Sequence, residues 1–383
     1  MGLSQNRCDV WIVGGGPAGL AAAIALRQHG LDVLLADAMV PPIDKACGEG
    51  IMPDSRRELT RLGVDLAPAH GASFRGIRFC DNHSTVSAAF PSAPDFPGEG
   101  VGVRRTVLHS LLVARARELG VRMSWGAPVT LTPNQLPLLA GESVNYGYLI
   151  GADGQNSRVR SWAGLDRGNL QSHRAGFRMH YRVRPWSRYV EVHWGPLGQA
   201  YVTPIGDNEV CVAAVTRFPQ LARTTQVIDS IPALREKLRH SGIASRERGS
   251  ITTTRTLHRV ARGNVALVGD ASGSADAVTG EGLAVIFRQA VLLAGSIQSG
   301  SLDPYAAGHA KTLRLPQMMA HLLLLLDRYP ALRRKVLQVF AHDPALFEKL
   351  LRVHLGEEPL NRFVLAYAPR LGARILLPSP LKS

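Results

Sequence analysis

The hydrophobic pattern begins at Asp9, where a short apolar run reaches Val13 and then meets a glycine-rich turn. Such a run, bounded by glycine, reads as a buried parallel strand. An Ala- and Leu-rich stretch from Pro17 to about Gln28 predicts a helix, with Gly30 as its C-terminal stop. The segment LDVLLAD then predicts a second strand ending at Asp37. Two later apolar runs, Tyr148–Ile150 and Val265–Val268, read as further strands of the same buried kind. The first leads into Asp153-Gly154 and a helix opening at Ser157-Arg158. The second leads into Gly269-Asp270.

Between these runs the pattern changes to alternation. Phe74 to Phe90 reads as a hairpin centred on Asp81-Asn82. AGFRMHYRVR, YVEVHW, QAYVTPI and NEVCVAAVTR read as four more strands, the last two joined by a turn at Gly206 to Asn208. After about residue 300 the pattern is helical. These elements predict an α/β chain: a discontinuous Rossmann-like domain (1–70, 98–170 and 255–300), an inserted antiparallel-sheet domain (71–97 and 171–254), and a helical C-terminal cap (301–383). A chain of 383 residues is too long for one simple core, which agrees with this division.

The formal net charge is +14. Such an excess suits an acidic partner or a solvated basic face. From Lys311 onward there are twelve Lys and Arg against five Asp and Glu. The segment LLLLLDRYPALRRKVLQVFA could lay an apolar face on a membrane, with Arg333, Arg334 and Lys335 at the headgroups. Alternatively it is a helical cap with a solvated basic edge. The basic residues are not interleaved with aromatics, so no nucleic-acid partner is expected. The apolar run from Met318 is far shorter than the roughly 20 residues of a spanning helix. No signal peptide is apparent, and the expected location is cytoplasmic, with or without peripheral membrane contact.

The cysteines are Cys8, Cys47, Cys80 and Cys211. None forms a C-x-x-C pair, and no histidine cluster has zinc spacing, so no metal site or disulfide framework is expected. Cys47 sits in KACGEGIMP, between a lysine and two glycines. Its thiol could be a ligand, a nucleophile, half of a disulfide, or a small group packed against a flat cofactor.

Gly14, Gly16 and Gly19 form G-x-G-x-x-G between the first strand and its helix. Gly14 allows the tight turn, Gly16 lets backbone approach a pyrophosphate, and Gly19 lets the helix pack on the strand. The helix start offers free N–H groups to phosphate. Asp37 lies eighteen residues beyond Gly19, near the spacing of an acid that binds a ribose 2′-OH. The ligand is then NAD or the ADP half of FAD. Gly280 and Gly282 flank Glu281 at the start of a long amphipathic helix, a second helix N-terminus aimed at a ligand.

The order GGGPAG, GADG, GDASG…TGEG resembles the FAD-dependent superfamily that holds para-hydroxybenzoate-hydroxylase-type monooxygenases and geranylgeranyl reductases. The resemblance covers roughly residues 9 to 295. It implies that Gly14, Gly16, Pro17, Ala18 and Gly19 hold the FAD pyrophosphate, and Asp37 with Ala38 the adenosine ribose. Arg105 would face the FAD phosphates, although Arg104 beside it must point elsewhere. Asp153 would belong to the motif shared between FAD and a nicotinamide. Gly269 and Asp270 would meet the ribityl or pyrophosphate region. Gly280 and Gly282 would lie beside the isoalloxazine, with the K-x-C-G-x-G loop at Cys47 and Gly48 against the same ring.

No second G-x-G-x-x-G follows a later strand, so electrons would come from transient NAD(P)H or a protein donor. Tyr201 and Pro204 are candidate liners of an apolar substrate pocket. Here the chain departs from the reductase pattern Y-x-W-x-F-P, since Tyr201-Val202-Thr203-Pro204 lacks the tryptophan and phenylalanine. The implied activity is an FAD-dependent oxidoreductase acting on a lipid-, isoprenoid- or polyketide-like substrate, reducing a double bond. A monooxygenase acting on an aromatic or polyketide substrate and a non-catalytic electron-transfer flavoprotein are the alternatives. Cys47 and Glu281 are the candidate catalytic residues. Arg288 lies two helical turns beyond Glu281, and His180 and His193 lie on the pocket strands.

Overall fold

The computed structural model describes residues 7–367, except 93–97, 133–135, 171–173, 219 and 221–222. Residues 368–383, read from sequence as part of the helical cap, lie outside the described residues. A six-stranded sheet forms the centre of the nucleotide domain. Its order is Ala261–Arg262, Val265–Leu267, Asn145–Gly151, Arg7–Val13, Val33–Asp37 and Arg122–Trp125. All neighbours run parallel except the first pair. The central strands Arg7–Val13 and Val33–Asp37 are largely buried, which is why they read as apolar runs, whereas the edge strand Arg122–Trp125 is only half-buried. Helix Pro17–Gln28 buries ten of its twelve residues, Ala and Leu for the most part, against this sheet and helix Gly282–Gln298. Fully burying each Leu or Ile contributes about 1.5–3 kcal/mol before entropy.

The second sheet has eight strands and carries the inserted segments. Along its path lie Gly242–Ile243, Arg174–Arg182, Glu209–Thr216, Gly198–Gly206, Val190–Gly195, Gly76–Cys80 and Thr85–Ala89, and Arg248–Thr252 also pairs with Arg174–Arg182. The predicted hairpin and all four predicted strands are present. One pairing departs from the expected antiparallel pattern: Val190–His193 runs parallel to Ile77–Cys80, which attaches the hairpin to the rest of the sheet. The polar, Pro-rich stretch before Tyr148 also contains a small sheet of Val129–Leu131, Pro137–Leu139 and Glu142–Ser143.

Alternation assigns the two faces of the eight-stranded sheet. Val192, Tyr201 and Ala213 are cross-strand partners on one face, as are Trp194, Gln199 and Val215. The other face bears Val202, Val210, Val212 and Ala214 against Val227, Ile228 and Leu234 of two short helices. The C-terminal helices Asp303–Arg328, Pro330–His342 and Pro344–His354 cover part of the first face. Leu326, Val336, Leu337 and Phe340 pack there with Phe79, Val86 and Trp194. The apolar face of the predicted tail is therefore turned into the protein. No described helix is long and apolar enough to cross a membrane.

On the second face, Glu191 is 1% exposed and collects four donors. Arg78 (3.1 Å), Lys237 (3.3 Å), Trp186 Nε1 (2.9 Å) and His193 Nε2 (3.0 Å) all reach its carboxylate. Burial pushes its carboxyl up, but the bonds from His193 and Trp186 and the Lys237 charge prevail and hold it at about 2. A group depressed on folding stabilises above its ordinary value of 4.5 and loses that contribution as pH falls toward 2. At neutral pH the contribution is roughly 3 kcal/mol. Wild-type protein is expected to lose stability steeply between pH 4.5 and 2, whereas Glu191→Gln starts less stable and shows a flatter loss. Denaturant melts across that window check this, and parallel slopes for the two proteins would contradict it.

Candidate functional site

The glycine turn separates glycines that the fold needs from one that faces empty space. Gly14 has φ +114°, and a Cβ there would lie 2.4 Å from the Ala152 carbonyl oxygen. A Cβ on Gly19 would lie 1.8 Å from the Gly14 oxygen. A Cβ on Gly15 would enter the Trp125 ring at 2.2 Å. By contrast, nothing lies within 4 Å of a Cβ built on Gly16, although this residue starts the helix. The helix has no side-chain cap there, so its first N–H groups face that space. Pro17 and Ala18 are buried beneath it.

Asp37 braces the turn from the second strand. One carboxylate oxygen accepts from Gly15 N at 2.6 Å, the other from Met39 N at 2.7 Å. Ala38 follows on the exposed side. Below the turn, fully buried His109 meets the Gly15 carbonyl through Nε2 at 2.9 Å. Burial lowers the His109 pKa. Sequence reading missed Gly15, His109 and Trp125, which come together from three separate segments.

Asp270 forms the opposite wall. Its carboxyl is ringed by protein yet solvent-accessible, so it faces a water-accessible recess rather than the outer surface. The confinement raises its pKa, and the charges of Lys45 and Arg105 oppose that rise. Gly269, at φ +60°, packs so closely that a Cβ would lie 2.7 Å from the Ala18 Cβ. The two arginines divide as expected: Arg104 pairs with Glu209, while Arg105 turns to the recess with Nε bound to nothing among the described residues. Asp153 has a local duty. It accepts from Ser157 Oγ (2.5 Å) and from Arg158 N (2.7 Å), and so caps helix Arg158–Trp162.

At the second helix start, Gly280 and Gly282 are exposed, and a Cβ on either meets nothing within 4 Å. Glu281 between them is 1% exposed and faces the other way. Neither carboxyl oxygen has a hydrogen bond, and His354 Nδ1 is 3.7 Å away. Burial raises the Glu281 pKa well above the ordinary range, nearby Asp54 adds to this, and Arg288 opposes it. Asp54, 1% exposed and 2.5 Å from Arg288, is raised by burial too, with Arg288 opposing. Burial and Arg288 push His354 down to about 4. Glu281 is thus a sealed carboxyl with a raised pKa behind the helix start, not a group on the recess surface as the sequence suggested.

The Cys47 loop is anchored by a residue that sequence reading passed over. Glu49 has φ +58° and is 2% exposed, a conformation that costs about 1–3 kcal/mol for a non-glycine residue. Its carboxylate accepts from Arg105 N at 2.9 Å and meets His180 Nε2 at 2.7 Å. Arg178 Nε stands 3.6 Å away and pairs in turn with Asp44. His180 Nδ1 meets Ser245 Oγ at 2.7 Å and Arg178 Nη1 at 3.3 Å, a pattern that suits the Nε2–H tautomer donating to Glu49. Glu49, His180 and Cys211 bring ligand atoms within 4.8 Å, as do Cys80, Glu191 and His193. In each trio the carboxylate is already met by cations, Arg178 in one and Arg78 with Lys237 in the other, which leaves little for a metal ion.

Held this way, the loop presents half-buried Cys47 and Gly48, and a Cβ on Gly48 meets nothing within 4 Å. Thr203 Oγ1 donates to the Gly48 carbonyl at 2.8 Å, and the Cys211 thiol lies 3.7 Å from the Cys47 carbonyl. The eight-stranded sheet is therefore stitched to this loop. Tyr201 lies on the same face as Thr203, with its hydroxyl 2.6 Å from Gln199 Oε1 and 2.9 Å from the Val278 carbonyl. Burial raises the Tyr201 pKa far above its ordinary value. Pro204 does not join them. It is an odd number of residues from Tyr201, its strand partner is Val210, and its carbonyl abuts Gly102. His193 lies on the face bearing Glu191 and is likewise away from the pocket side.

Gly16, Gly48, Gly280 and Gly282 thus border open space between two helix starts, with Asp270, Arg105 and Lys45 on its wall. A pyrophosphate needs backbone N–H groups and cations, and a flat ring needs glycine-lined loops. Both sets are present, so the residues fit FAD. The parallel sheet, the turn and the recess define a flavin-type dinucleotide-binding protein. The chain belongs to the family described as FAD binding domain, whose model matches residues 7–299.

Among relatives, the menaquinone reductase of Mycolicibacterium smegmatis is 28% identical over 335 residues, covering 79% of each chain. Digeranylgeranylglycerophospholipid reductase 1 of Methanothermobacter thermautotrophicus is 24% identical over 322 residues, again 79% of each. A flavoprotein/dehydrogenase from Cytophaga hutchinsonii superposes with TM-score 0.80 at 17% identity, covering 96% of this chain and 98% of that one. The protein is an FAD-dependent oxidoreductase.

Two substitutions separate binding from folding. Gly16→Ala puts a methyl into the recess without a clash, so the protein should fold normally and bind FAD at least tenfold more weakly. Gly19→Ala drives a methyl into the Gly14 carbonyl and should lower the melting temperature of the flavin-free protein. Equal melting temperatures for the two flavin-free variants would contradict this division.

Proposed function

We propose that this enzyme reduces a carbon–carbon double bond of an apolar, isoprenoid-bearing lipid. The observation that carries this reading is the Cys47–Gly48 loop, fixed by Glu49 and Thr203 and open to the recess beneath the Tyr201 face. The relatives named as menaquinone and digeranylgeranylglycerophospholipid reductases support it, since both names denote lipid substrates with polyprenyl chains. FAD, when bound, supplies the two-electron carrier between donor and substrate.

In this reading Gly16 and the N–H groups of helix Pro17–Gln28 bind the pyrophosphate, with Arg105 and Lys45 supplying positive charge. Asp37 accepts from the adenosine ribose while it braces Gly15. Asp270 bonds the chain between pyrophosphate and ring. Gly280, Gly282 and Gly48 let backbone lie against the ring, and the helix start at Gly282 favours negative charge there. Tyr201 and Thr203 line the substrate side and exclude water. Cys47 holds the proton that completes the saturated bond, the hydride having gone to the other carbon. Transient NAD(P)H or a protein donor supplies the reducing equivalents.

The test is anaerobic turnover of menaquinone with NADPH or NADH. A product gaining two hydrogens supports the reading, and substrate-dependent oxygen uptake with a product gaining one oxygen replaces it by a monooxygenase. Cys47→Ser should retain FAD and lose turnover at least a hundredfold, while Cys47→Ser with full turnover would reduce the thiol to packing. Asp270→Ala should lose FAD on gel filtration, and wild-type occupancy in that variant would remove Asp270 from the cofactor site.

A further inference from the structure

A cleft of about 360 Å³ lies between the turn at Trp194 to Gly198 and the elbow of the C-terminal helices. A side lobe of about 180 Å³ extends it toward the hairpin turn at Asp81 to His83. This region has more hydrogen-bond donors than acceptors. Of the lining residues, Trp194 and Arg333 carry buried atoms, Nε1 and Nε, with no hydrogen-bond partner among the described residues, as do Gln199 (Nε2) and Arg174 (Nε and Nη1), which do not themselves line it. Trp194 is 2%, Gln199 0% and Arg174 4% exposed. Trp194 and Gln199 are cross-strand neighbours on one face, and the Arg333 guanidinium sits 5.6 Å over the Trp194 ring.

The acceptors present are already shared. One oxygen of Asp327 serves both Arg174 (3.2 Å) and Arg217 (3.4 Å). Asp81 stands 3.8 Å from Arg333 Nε, beyond hydrogen-bond range. Helix Pro330–His342 begins at the cleft wall with no side-chain cap. Counting the lining residues Arg217, Arg328, Arg333 and Arg334 against Asp81 and Asp327, the cleft has surplus positive charge. A buried N–H without an acceptor costs about 1–3 kcal/mol, and two of the side chains lining this opening, Trp194 and Arg333, incur that cost. Phe218 in the lining is 43% exposed, and Leu325 and Tyr329, close in sequence to the lining residues Asp327, Arg328 and Pro330, are 43% and 47% exposed.

We propose that this cleft binds the oxyanion of a phosphate ester. Each feature matches that ligand: several converging N–H donors, a guanidinium stacked on an indole, an uncapped helix start and net positive charge. Exposed Phe218 in the lining, with exposed Leu325 and Tyr329 close by in sequence, suits a phosphate carried at a membrane surface, where aromatic and aliphatic side chains enter the interface. None of the residues lining the cleft is among those assigned to the reaction in the recess, although Gln199 beside it meets the Tyr201 hydroxyl.

The experiment uses the full chain loaded with FAD, so that the pyrophosphate turn is filled. Binding of inorganic phosphate is followed by calorimetry, and binding to vesicles of phosphatidylglycerol in phosphatidylcholine by cosedimentation. Trp194→Phe keeps the ring and removes the N–H, Arg333→Gln removes the guanidinium, and Arg61→Gln removes an equal charge elsewhere on the surface. The site is supported if either probe binds saturably and the first two substitutions weaken it about tenfold while Arg61→Gln does not. Free phosphate binding alone identifies a soluble ester as the source, and vesicle binding alone a lipid headgroup. No binding of either probe, or equal weakening by all three substitutions, overturns the proposal and leaves the cleft to water.

Discussion

Contact between helix Pro17–Gln28 and the strand end beneath it fixes much else in this molecule. The helix can approach because Gly19 has no side chain where the Gly14 carbonyl stands. That approach aims the uncapped helix start at open space and places Gly15 between Trp125 and the Asp37 carboxylate. The turn is thus rigid on its inner side and empty on its outer side, the arrangement that preorganised binding of a diphosphate requires.

Carboxylates around the recess are handled in contrasting ways. Glu49 is surrounded by donors and guanidinium, and its strained backbone is offset by bonds to His180 and Arg105. Glu281 and Asp54 are crowded together with Arg288 as their cation, and burial raises the pKa of both.

What the sequence made legible was local. Turn chemistry at Gly14, Gly16 and Gly19 depends on a few neighbouring residues, and the buried strands declare themselves as apolar runs. The alternating segments likewise marked the second sheet. Convergence was not legible: Glu49, Arg105 and His180 are distant in sequence and meet only through the packing of two sheets on a helix. His109 and Trp125 were hidden for the same reason. Glu281 was placed correctly along the chain but not in direction, because adjacent residues at a helix start point to different sides. Pro204 was misplaced by pairing it with Tyr201, against the two-residue period of a strand. The parallel junction at Val190–His193 had no local mark either.

The order of strands in the six-stranded sheet has a consequence for synthesis of the chain. Asn145–Gly151 lies between Arg7–Val13 and Val265–Leu267, so the sheet draws on the first, middle and later thirds of the sequence. A ribosome releases the glycine turn long before the strand that carries Asp270. The eight-stranded sheet, whose pairings fall within residues 76–252, can close first. Contacts between distant segments form late because loop closure must precede them. The recess is therefore among the last features to be completed, and the nascent chain carries its nucleotide turn exposed and unfinished for most of its translation.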